Sequence, residues 1–441
     1  MNPNLVNSEP EYSTQKERKP YQSRRSLDSY RPPDVPRRIH MLGMGSIGKL
    51  VAHSLRGLPN PPPVTLLFHR TSMLEQWNDG PRELRLTTQG VTEARTGYDV
   101  ETAIPRRREH GRELGLDNSE SRPTSADPYV TETASPEDAS KYSDPIHNLI
   151  LTVKATQTVS ALLAVKHRLS ASSSILFLQN GMGILEEVNR DVFPNPETRP
   201  NYMLGIISHG VTSQTTFSAT HTGFGTISIG IMPRASSQTP TSETSTTPYP
   251  TSPLRGGLGH RWDAQSRYLL RTLTRTPVLA AVGFAPTELL QLQLEKLAIN
   301  AIINPLTVLL DARNGALLYN YSLSRAMRML LSEISHIILS LPELRGLPNI
   351  TARFSPQRLE TLVVGVAGKT RENVSSMLAD ARKGQQTEIE YINGYIVRRG
   401  EEMGCLCVMN YLIMQLVKGK QVMVQREVLD MIPFAGGETG R

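Results

Sequence analysis

The sequence has little of three things that would define its class at once: cysteine, aromatic residues and long apolar runs. Its two cysteines, Cys405 and Cys407, stand two positions apart, which is poor spacing for a disulfide and too few thiols for a zinc site. This cysteine usage is typical of a reducing compartment. The basic N-terminal segment also contains several acids, which a transit peptide lacks. We therefore expect the cytoplasm, with the mitochondrion as the alternative.

Aromatic residues make up 5% and hydrophobic residues 38% of the 441 positions, which is lean for a globular chain. Low-complexity segments are therefore expected to dilute a normal core. No apolar run reaches the roughly 18 residues of a membrane span. The net charge of +7 suits an anionic small-molecule ligand. Nucleic acid is not indicated, because the sequence has no basic stripe flanked by aromatic residues. The sequence leaves open whether the protein forms a homodimer.

The patterning along the chain predicts an α/β domain followed by an all-helical domain. Short apolar runs alternate with helical stretches up to about residue 285, and nearly everything beyond has helical period. Two polar segments interrupt the first domain, one charged and one rich in Ser, Thr and Pro. The predicted boundaries are 1–36 for a disordered basic tail, 37–285 for the α/β domain with insertions at about 104–145 and 233–262, 286–425 for the helical domain, and 426–441 for a tail.

A glycine motif lies between the first predicted strand and helix, in "MLGMGSIGKL". Gly43 permits a tight turn, Gly45 lets the backbone approach a pyrophosphate, and Gly48 lets helix pack on strand. The helix N terminus then offers free N–H groups to phosphate. The motif predicts a Rossmann domain that binds a dinucleotide through Gly43, Met44, Gly45, Ser46, Ile47 and Gly48. The alternative is a glycine turn that only packs.

The second predicted strand ends in His69-Arg70, where an NAD site usually carries an acid. Arg70 is suited to pair with a 2′-phosphate, which favours NADP (NADPH) as the cofactor. The alternative is a solvated surface arginine.

Polar residues follow two further buried strands. Lys154 and Gln157 come after "LILTV", and Asn180 and Gly181 after "LFLQ". Ligands of open α/β sheets bind at the carboxyl ends of strands, so these residues are candidates for the cofactor site. A helix cap or a turn explains each of them equally well. His209, at a third strand end, is more typical of a structural histidine.

A polar stripe interrupts the apolar helical segment "LEKLAINAIINPLTVLL", with Lys296, Asn300 and Asn304 at i, i+4 and i+8. If the stripe faces a pocket, a desolvated ammonium has a lowered pKa and can donate a proton near neutrality. Amides beside it can hold a carboxylate or a hydroxyl. The alternative is that Lys296 extends into water while the amides satisfy backbone. Asn314 supplies a further amide at the next turn.

A second cluster lies in "RENVSSMLADARKGQQTEIEYINGYIV". Asn373, Ser376 and Asp380 are spaced to share one helical face, and Glu388 precedes another helix. Helix capping or a solvent face explains Ser376 and Glu388 as well as a binding role does.

These motifs resemble those of one family. The segments "MLGMGSIG", "VKATQT", "LQNGMG", "KLAINAIINPLT", "NVSSMLAD" and "TEIEYINGY" stand in the order found in ketopantoate reductases (2-dehydropantoate 2-reductases), over roughly residues 38–420 without the insertions. The resemblance implies a Rossmann domain joined to a helical domain of the 6-phosphogluconate dehydrogenase C-terminal type. It also implies NADPH-dependent reduction of 2-dehydropantoate to pantoate, toward pantothenate and coenzyme A. The tail and the two insertions depart from bacterial members, which indicates a fungal-type member.

Carried over by position, the resemblance makes Lys296 the catalytic proton donor. It makes Asn300, Asn304, Asn314, Asn373 and Ser376 substrate-binding, and Arg70, Lys154, Asn180 and Glu388 part of the cofactor site. Two other functions stay open: reduction of a different 2-oxo acid, and a non-catalytic NADP-binding regulator that uses the tail and insertions for docking. Retention of Lys296 and Glu388 counts against the regulator.

Overall fold

A large mixed sheet and a bundle of helices make up the described part of the chain. The structure is a computed structural model that describes residues 35–104, 142–234 and 262–430, with short strands at 108–109 and 112–113. The strands are β1 (Ile39–Leu42), β2 (Val64–Phe68), β3 (Leu84–Thr88), β4 (Val91–Arg95), β5 (Asp99–Thr102), β6 (Arg108–Glu109), β7 (Arg112–Glu113), β8 (Asn148–Leu151), β9 (Ser174–Phe177), β10 (Asn201–Ile207), β11 (Gly210–Thr215), β12 (Ser218–Gly223), β13 (Ile227–Ile231) and β14 (Ala281–Gly283).

Helices flank the sheet and then form the C-terminal part. They are α1 (Ser46–Arg56), α2 (Thr71–Asp79), α3 (Thr158–Val165), α4 (Ile184–Asp191), α5 (Ala264–Thr274), α6 (Pro286–Leu310), α7 (Tyr321–Ser340), α8 (Ile350–Arg353), α9 (Pro356–Lys369), α10 (Ser376–Arg382), α11 (Ile389–Glu402) and α12 (Val408–Asp430).

The main sheet has the strand order β14-β13-β10-β9-β8-β1-β2-β5. The six neighbouring strands β10, β9, β8, β1, β2 and β5 are all parallel. Strand β13 joins antiparallel to β10. The central strands β1, β8 and β9 are buried at every position, which explains their continuous apolar runs. The chain leaves β1 toward β2 on one side and later returns through β8 on the other. Such a reversal is the point at which α/β sheets form a ligand crevice.

A smaller sheet, with the order β11-β12-β3-β4, packs against α1. Within this sheet, β3 and β4 pair antiparallel. The short antiparallel pair β6–β7 lies inside the first predicted insertion.

The α/β fold with a helical C-terminal part is confirmed. Helix α12 continues to Asp430, past the predicted domain end at 425, because no proline or glycine interrupts the chain between Gly419 and Pro433. Most of the predicted tail at 1–36, most of both insertions and residues 431–441 lie outside the described residues. Among the described helices, none has the length and apolar character that crossing a membrane requires.

Candidate active site

The glycine turn joins β1 to α1 as predicted from the motif. Gly43 has φ +107°, and a Cβ on it would lie 2.6 Å from the backbone nitrogen of Val153. A Cβ on Gly48 would lie 1.9 Å from the Gly43 carbonyl oxygen, so both glycines are required for close packing. A Cβ on Gly45 would meet no atom of the described residues within 4 Å. Gly45 therefore borders open space at the start of α1.

The N terminus of α1 carries no side-chain cap. Gly45 is the N-cap residue, half-buried Ser46 opens the helix, and half-buried Ile47 follows. Met44 is buried and packs in the core beneath the turn. The first N–H groups of α1 and its partial positive charge therefore face the same open space as Gly45.

Arg70 follows β2 and is the N-cap residue of α2. Its Nε donates to His69 Nε2 at 2.9 Å. Because β1 and β2 are paired in parallel, the end of β2 lies next to the strand that leads into the glycine turn. The structure thus places Arg70 at the strand end where the sequence predicted a 2′-phosphate contact.

The residues after β8 connect the glycine turn to the helical part. The Thr152 hydroxyl donates to the Gly43 carbonyl at 2.5 Å, which fixes the β8 end against the turn. Two residues later, Lys154 Nζ lies 2.8 Å from Asp380 Oδ1 and 3.0 Å from Gln385 Oε1. Burial raises the pKa of Asp380, and the Lys154 ammonium opposes this shift. Lys154 therefore forms an ion pair between the strand ends of the sheet and helix α10. We call the space between the strand ends and the helical part the cleft.

Glu388 also reaches across the cleft, although it precedes α11. Its carboxylate does not cap that helix. Instead Oε1 accepts the Ala155 N–H at 3.0 Å, and Oε2 accepts Asn180 Nδ2 at 3.4 Å. Burial raises the pKa of Glu388, and the Ala155 N–H opposes this shift. The capping alternative for Glu388 is therefore wrong.

Lys296 lies on α6 and is half-buried. Its ammonium donates to the Ile207 carbonyl at the end of β10, at 2.6 Å. Burial lowers the pKa of Lys296 from 10.5 to about 8, while the charge of Glu388 raises it. The ammonium is thus held at the carboxyl end of β10, and the alternative in which Lys296 extends into water is wrong.

Lys296 lines a cavity of about 290 Å³ between the sheet edge and α6. The stripe divides here: Asn300 shares this cavity, whereas buried Asn304 lies one turn further along α6 and does not line it. The other walls of the cavity are the loop after β9, the second half of β10 and neighbouring positions of α6. The lining residues are Gln179, Asn180, Gly181, Met182, Gly205, Ile206, Gln293, Lys296, Leu297 and Asn300.

Asn314 lies in the turn after α6 and is buried. Its Nδ2 donates to Thr370 Oγ1 at 2.9 Å, while Oδ1 has no hydrogen-bond partner among the described residues. Its backbone N–H donates to the Asn373 carbonyl at 3.1 Å. The turn thus brings Asn314 and Asn373 together.

Asn373 and Ser376 do not share a helical face. Helix α10 begins at Ser376, and Asn373 precedes it in a turn. The helix starts there because the Ser375 hydroxyl accepts the Leu378 N–H at 3.1 Å and so acts as the N-cap. The side chains of Asn373 and Ser376 are both exposed, and Ser376 rather than Asn373 shares α10 with Asp380.

Four residues of the site were not predicted from the sequence: Gln179, Gly205, Ile207 and Gln293. Gln293 is one turn before Lys296 on the same helix, so extension of the stripe by i−3 was the available signal. Gln179 precedes Asn180 at a strand end. Ile207 contributes only a carbonyl, and Gly205 only a lack of side chain, so neither has a chemical signature in the sequence.

His209 is structural, as the sequence analysis favoured. Its Nε2 lies 3.0 Å from the Leu279 carbonyl, and its Nδ1 lies 3.0 Å from His221 Nε2 and accepts the Gly225 N–H at 3.1 Å. Both ring nitrogens are therefore engaged within the fold.

The fold and the site together define the class. A parallel sheet carries an uncapped glycine turn at its crevice, and a helical part presents a desolvated lysine over the adjacent strand ends. This is the construction of a two-part Rossmann-fold oxidoreductase.

The comparison with family models is specific. The ketopantoate reductase PanE/ApbA model matches residues 39–234, and the ketopantoate reductase PanE/ApbA C terminal model matches residues 288–421. The chain belongs to the ketopantoate reductase family.

Relatives in fungi carry two different names. The chain is 28% identical over 385 residues to a probable 2-dehydropantoate 2-reductase of Schizosaccharomyces pombe, covering 87% of this chain and 96% of that protein. It is 29% identical over 403 residues to a ketoisovalerate reductase of Gibberella fujikuroi, covering 82% and 78%. Its fold matches a probable 2-dehydropantoate 2-reductase of Bacillus subtilis, with TM-score 0.57, 23% identity, and 87% and 99% of the two chains covered.

Proposed function

We propose that the protein catalyses the NADPH-dependent reduction of 2-dehydropantoate to (R)-pantoate, a step of pantothenate and coenzyme A biosynthesis. The observation that carries the proposal is the desolvated Lys296 ammonium, which lines one cavity together with Asn180 and Asn300. Membership of the ketopantoate reductase family supports the same reaction.

The residues around the glycine turn fit a dinucleotide phosphate. Gly45 leaves open space, and the uncapped start of α1 offers N–H groups to a pyrophosphate. Arg70, at the end of β2, would bind a 2′-phosphate, and Lys154, Asn180 and Glu388 would border the ribose and nicotinamide. When bound, NADPH supplies the hydride.

Lys296 would deliver the proton to the reduced carbonyl oxygen. Its pKa of about 8 keeps the ammonium largely protonated at neutral pH and makes it a stronger acid than an ordinary lysine. Negative charge develops on the substrate oxygen during reduction, so a cation fixed beside it lowers the barrier. The Ile207 carbonyl holds the ammonium at the strand end until substrate arrives.

Neutral groups would hold the substrate carboxylate and hydroxyl. Asn300 lies one turn from Lys296, and Asn314 has a buried oxygen without a described partner. Asn304, Asn373 and Ser376 do not line the cavity of Lys296, so their part in substrate binding is proposed from the family resemblance alone. Amides and hydroxyls bind an anion without adding a second fixed charge beside the general acid.

A second candidate is reduction of 2-ketoisovalerate. The named relatives support both reductases at nearly equal identity. 2-Ketoisovalerate has the same 2-oxo acid group and lacks the hydroxymethyl group of 2-dehydropantoate, so the same glycine turn and Lys296 would serve either substrate.

The first experiment follows NADPH oxidation at 340 nm with both 2-oxo acids. Preferred turnover of 2-dehydropantoate supports the proposal, and preferred turnover of 2-ketoisovalerate supports the second candidate. Lys296→Met should lower kcat by about two to four orders of magnitude, the usual effect of losing a general acid. The exposed Lys369→Met variant is the matched control and should retain activity. NADPH binding without turnover of any 2-oxo acid would contradict both reductases and favour a regulator.

The NADP preference is tested at Arg70. Arg70→Ala should raise the KM for NADPH about 10- to 100-fold, because a charge-assisted contact to the 2′-phosphate is lost. The KM for NADH should change little, since NADH lacks this phosphate. Equal losses with both cofactors would remove Arg70 from the phosphate site.

A further inference from the structure

Gln179 is a polar side chain at the centre of the cleft. It lies two residues after β9, directly before Asn180, and lines the cavity that contains Lys296. It also lines an adjacent cavity of about 410 Å³, whose walls include Phe177, Leu204 and Tyr395. Gln179 is therefore placed where the two cavities meet.

The orientation of the Gln179 amide is fixed by its neighbours. The Thr158 hydroxyl donates its single proton to the Lys154 carbonyl at 3.2 Å. Thr158 Oγ1 can then only accept, and it accepts Gln179 Nε2 at 2.8 Å. The amide must therefore turn its Nε2 toward Thr158 and its Oε1 away from it.

In this orientation the Gln179 oxygen faces no donor from the described part of the chain. Gln179 Oε1 is buried and has no hydrogen-bond partner among the residues that the structure describes. A buried acceptor without a donor is unfavourable, and most such atoms in proteins are satisfied by a partner or a ligand. The missing donor is expected to come from a molecule that enters the two cavities.

We propose that Gln179 binds ligand by accepting a hydrogen bond from an O–H or N–H donor in the cleft, and so determines specificity. The inference rests on the proposed function, which provides two such donors. One is the hydroxyl of 2-dehydropantoate, and the other is the carboxamide N–H of the nicotinamide. The carboxylate and ketone of the substrate carry no donor at neutral pH, so they cannot satisfy Oε1.

The substrate arm compares 2-dehydropantoate with 3,3-dimethyl-2-oxobutanoate, which lacks only the hydroxyl. If the hydroxyl is the donor, Gln179→Met lowers kcat/KM for 2-dehydropantoate about 10- to 100-fold. The value for 3,3-dimethyl-2-oxobutanoate then stays within about threefold of the unaltered enzyme. The preference between the two substrates is the readout, and a general loss of activity does not change it.

The cofactor arm compares NADPH with its reduced 3-acetylpyridine analogue, which carries a methyl ketone in place of the carboxamide. If the carboxamide is the donor, the unaltered protein binds NADPH more tightly than the analogue, and Gln179→Met removes about 10-fold or more of that difference. Binding is followed by cofactor fluorescence. This arm therefore remains informative even when no 2-oxo acid is turned over.

Two further variants make the test specific. Thr158→Val removes the partner that orients the amide but leaves Oε1 in place, so it should weaken the same preference as Gln179→Met, to a smaller extent. Gln214→Met makes the same exchange on the exposed face of β11 and should change neither preference. If Gln179→Met and Thr158→Val leave both preferences unchanged, the inference is overturned. Failure of the unaltered protein to reduce 2-dehydropantoate instead refutes the proposed function.

Discussion

A backbone carbonyl and a more distant carboxylate together set the state of Lys296. The Ile207 carbonyl accepts the ammonium directly, whereas Glu388 acts on it through its charge. Burial lowers the pKa of Lys296, and Glu388 partly restores it. In the proposed mechanism, the protonated form of Lys296 is therefore favoured by a group that need not touch the substrate.

This balance predicts the pH dependence of activity. Lys296 must be protonated to act as an acid, so kcat/KM should fall as the pH rises through about 8. Glu388→Gln removes the charge that raises the Lys296 pKa, so the falling limb should move to lower pH by about one unit. The pH–rate profile measures this shift. Glu295→Gln is the control, because Glu295 is adjacent in sequence but pairs with Arg353. A limb that stays in place in Glu388→Gln would show that Glu388 does not tune Lys296.

The residue scale also shows what sequence reasoning can reach. Spacing alone singled out Lys296 and Asn300, because a polar row on an apolar helix is visible in the letters. Ile207 and Gln179 were missed for a physical reason. The carbonyl that accepts the ammonium is 89 positions away in the chain, and every residue has a carbonyl. The Gln179 oxygen is left available as an acceptor only because Thr158 orients the amide, and the sequence does not show that contact.

At the scale of elements, the glycine turn combines two different requirements. Gly43 and Gly48 allow two backbones to approach, whereas Gly45 borders open space. The motif assigned the turn and packing roles to Gly43 and Gly48 and the pyrophosphate role to Gly45, and the space around the three glycines fits that division.

Two alanine variants should separate these roles. Gly48→Ala places a Cβ 1.9 Å from the Gly43 carbonyl, so α1 must shift and the melting temperature should fall. Gly45→Ala meets no atom within 4 Å in the described part of the chain and should leave the melting temperature nearly unchanged. It should nevertheless weaken NADPH binding about 10-fold or more, because the methyl group occupies the space of the pyrophosphate. Thermal unfolding and cofactor titration measure the two effects. Undiminished NADPH affinity in Gly45→Ala would contradict a pyrophosphate site at this turn.

Helix α6 is stabilised by a contact that its own sequence does not predict. Pro305 lies inside the helix and cannot donate to the Ala301 carbonyl. Asn393 of α11 donates to that carbonyl at 3.0 Å instead, and also to Asn410 of α12. The apolar period predicts α6, but its continuity through Pro305 depends on an amide from another helix. Similarly, the start of α10 at Ser376 was decided by the Ser375 cap, which separates Asn373 from the predicted face.

At the scale of the whole molecule, the order of elements was predictable and the junction was not. Alternating buried strands and helices predict the α/β fold, and helical period predicts the C-terminal part. The contacts across the cleft come from residues far apart in sequence. The Lys154–Asp380 ion pair, Ala155–Glu388 and the Met182 N–H to the Tyr391 carbonyl at 2.8 Å are examples. Ion pairing and hydrogen bonding at such distances leave no periodic signal.

These contacts accompany a hydrophobic core that the two parts share. One cluster of buried residues contains Leu42 and Leu149 of the sheet together with Leu297 of α6 and Leu359 of α9. The central strands also contribute Met41 and other residues to a second cluster on the opposite side of the sheet. Because the sheet belongs to both clusters, loss of packing in the helical part should destabilise the sheet as well.

The two tryptophans allow this coupling to be measured. Trp77 is buried in the second cluster and Trp262 packs against it, so fluorescence reports on the α/β part, whereas far-UV circular dichroism reports mainly on helices. The two unfolding transitions should coincide. Leu359→Ala removes a fully buried side chain from α9, at a cost of about 2–5 kcal/mol. It should lower both midpoints equally, although no tryptophan lies in the helical part. The exposed Val364→Ala exchange on the same helix is the control and should shift neither by much. A fluorescence midpoint that stays in place while the dichroism midpoint falls would mean that the two parts unfold independently.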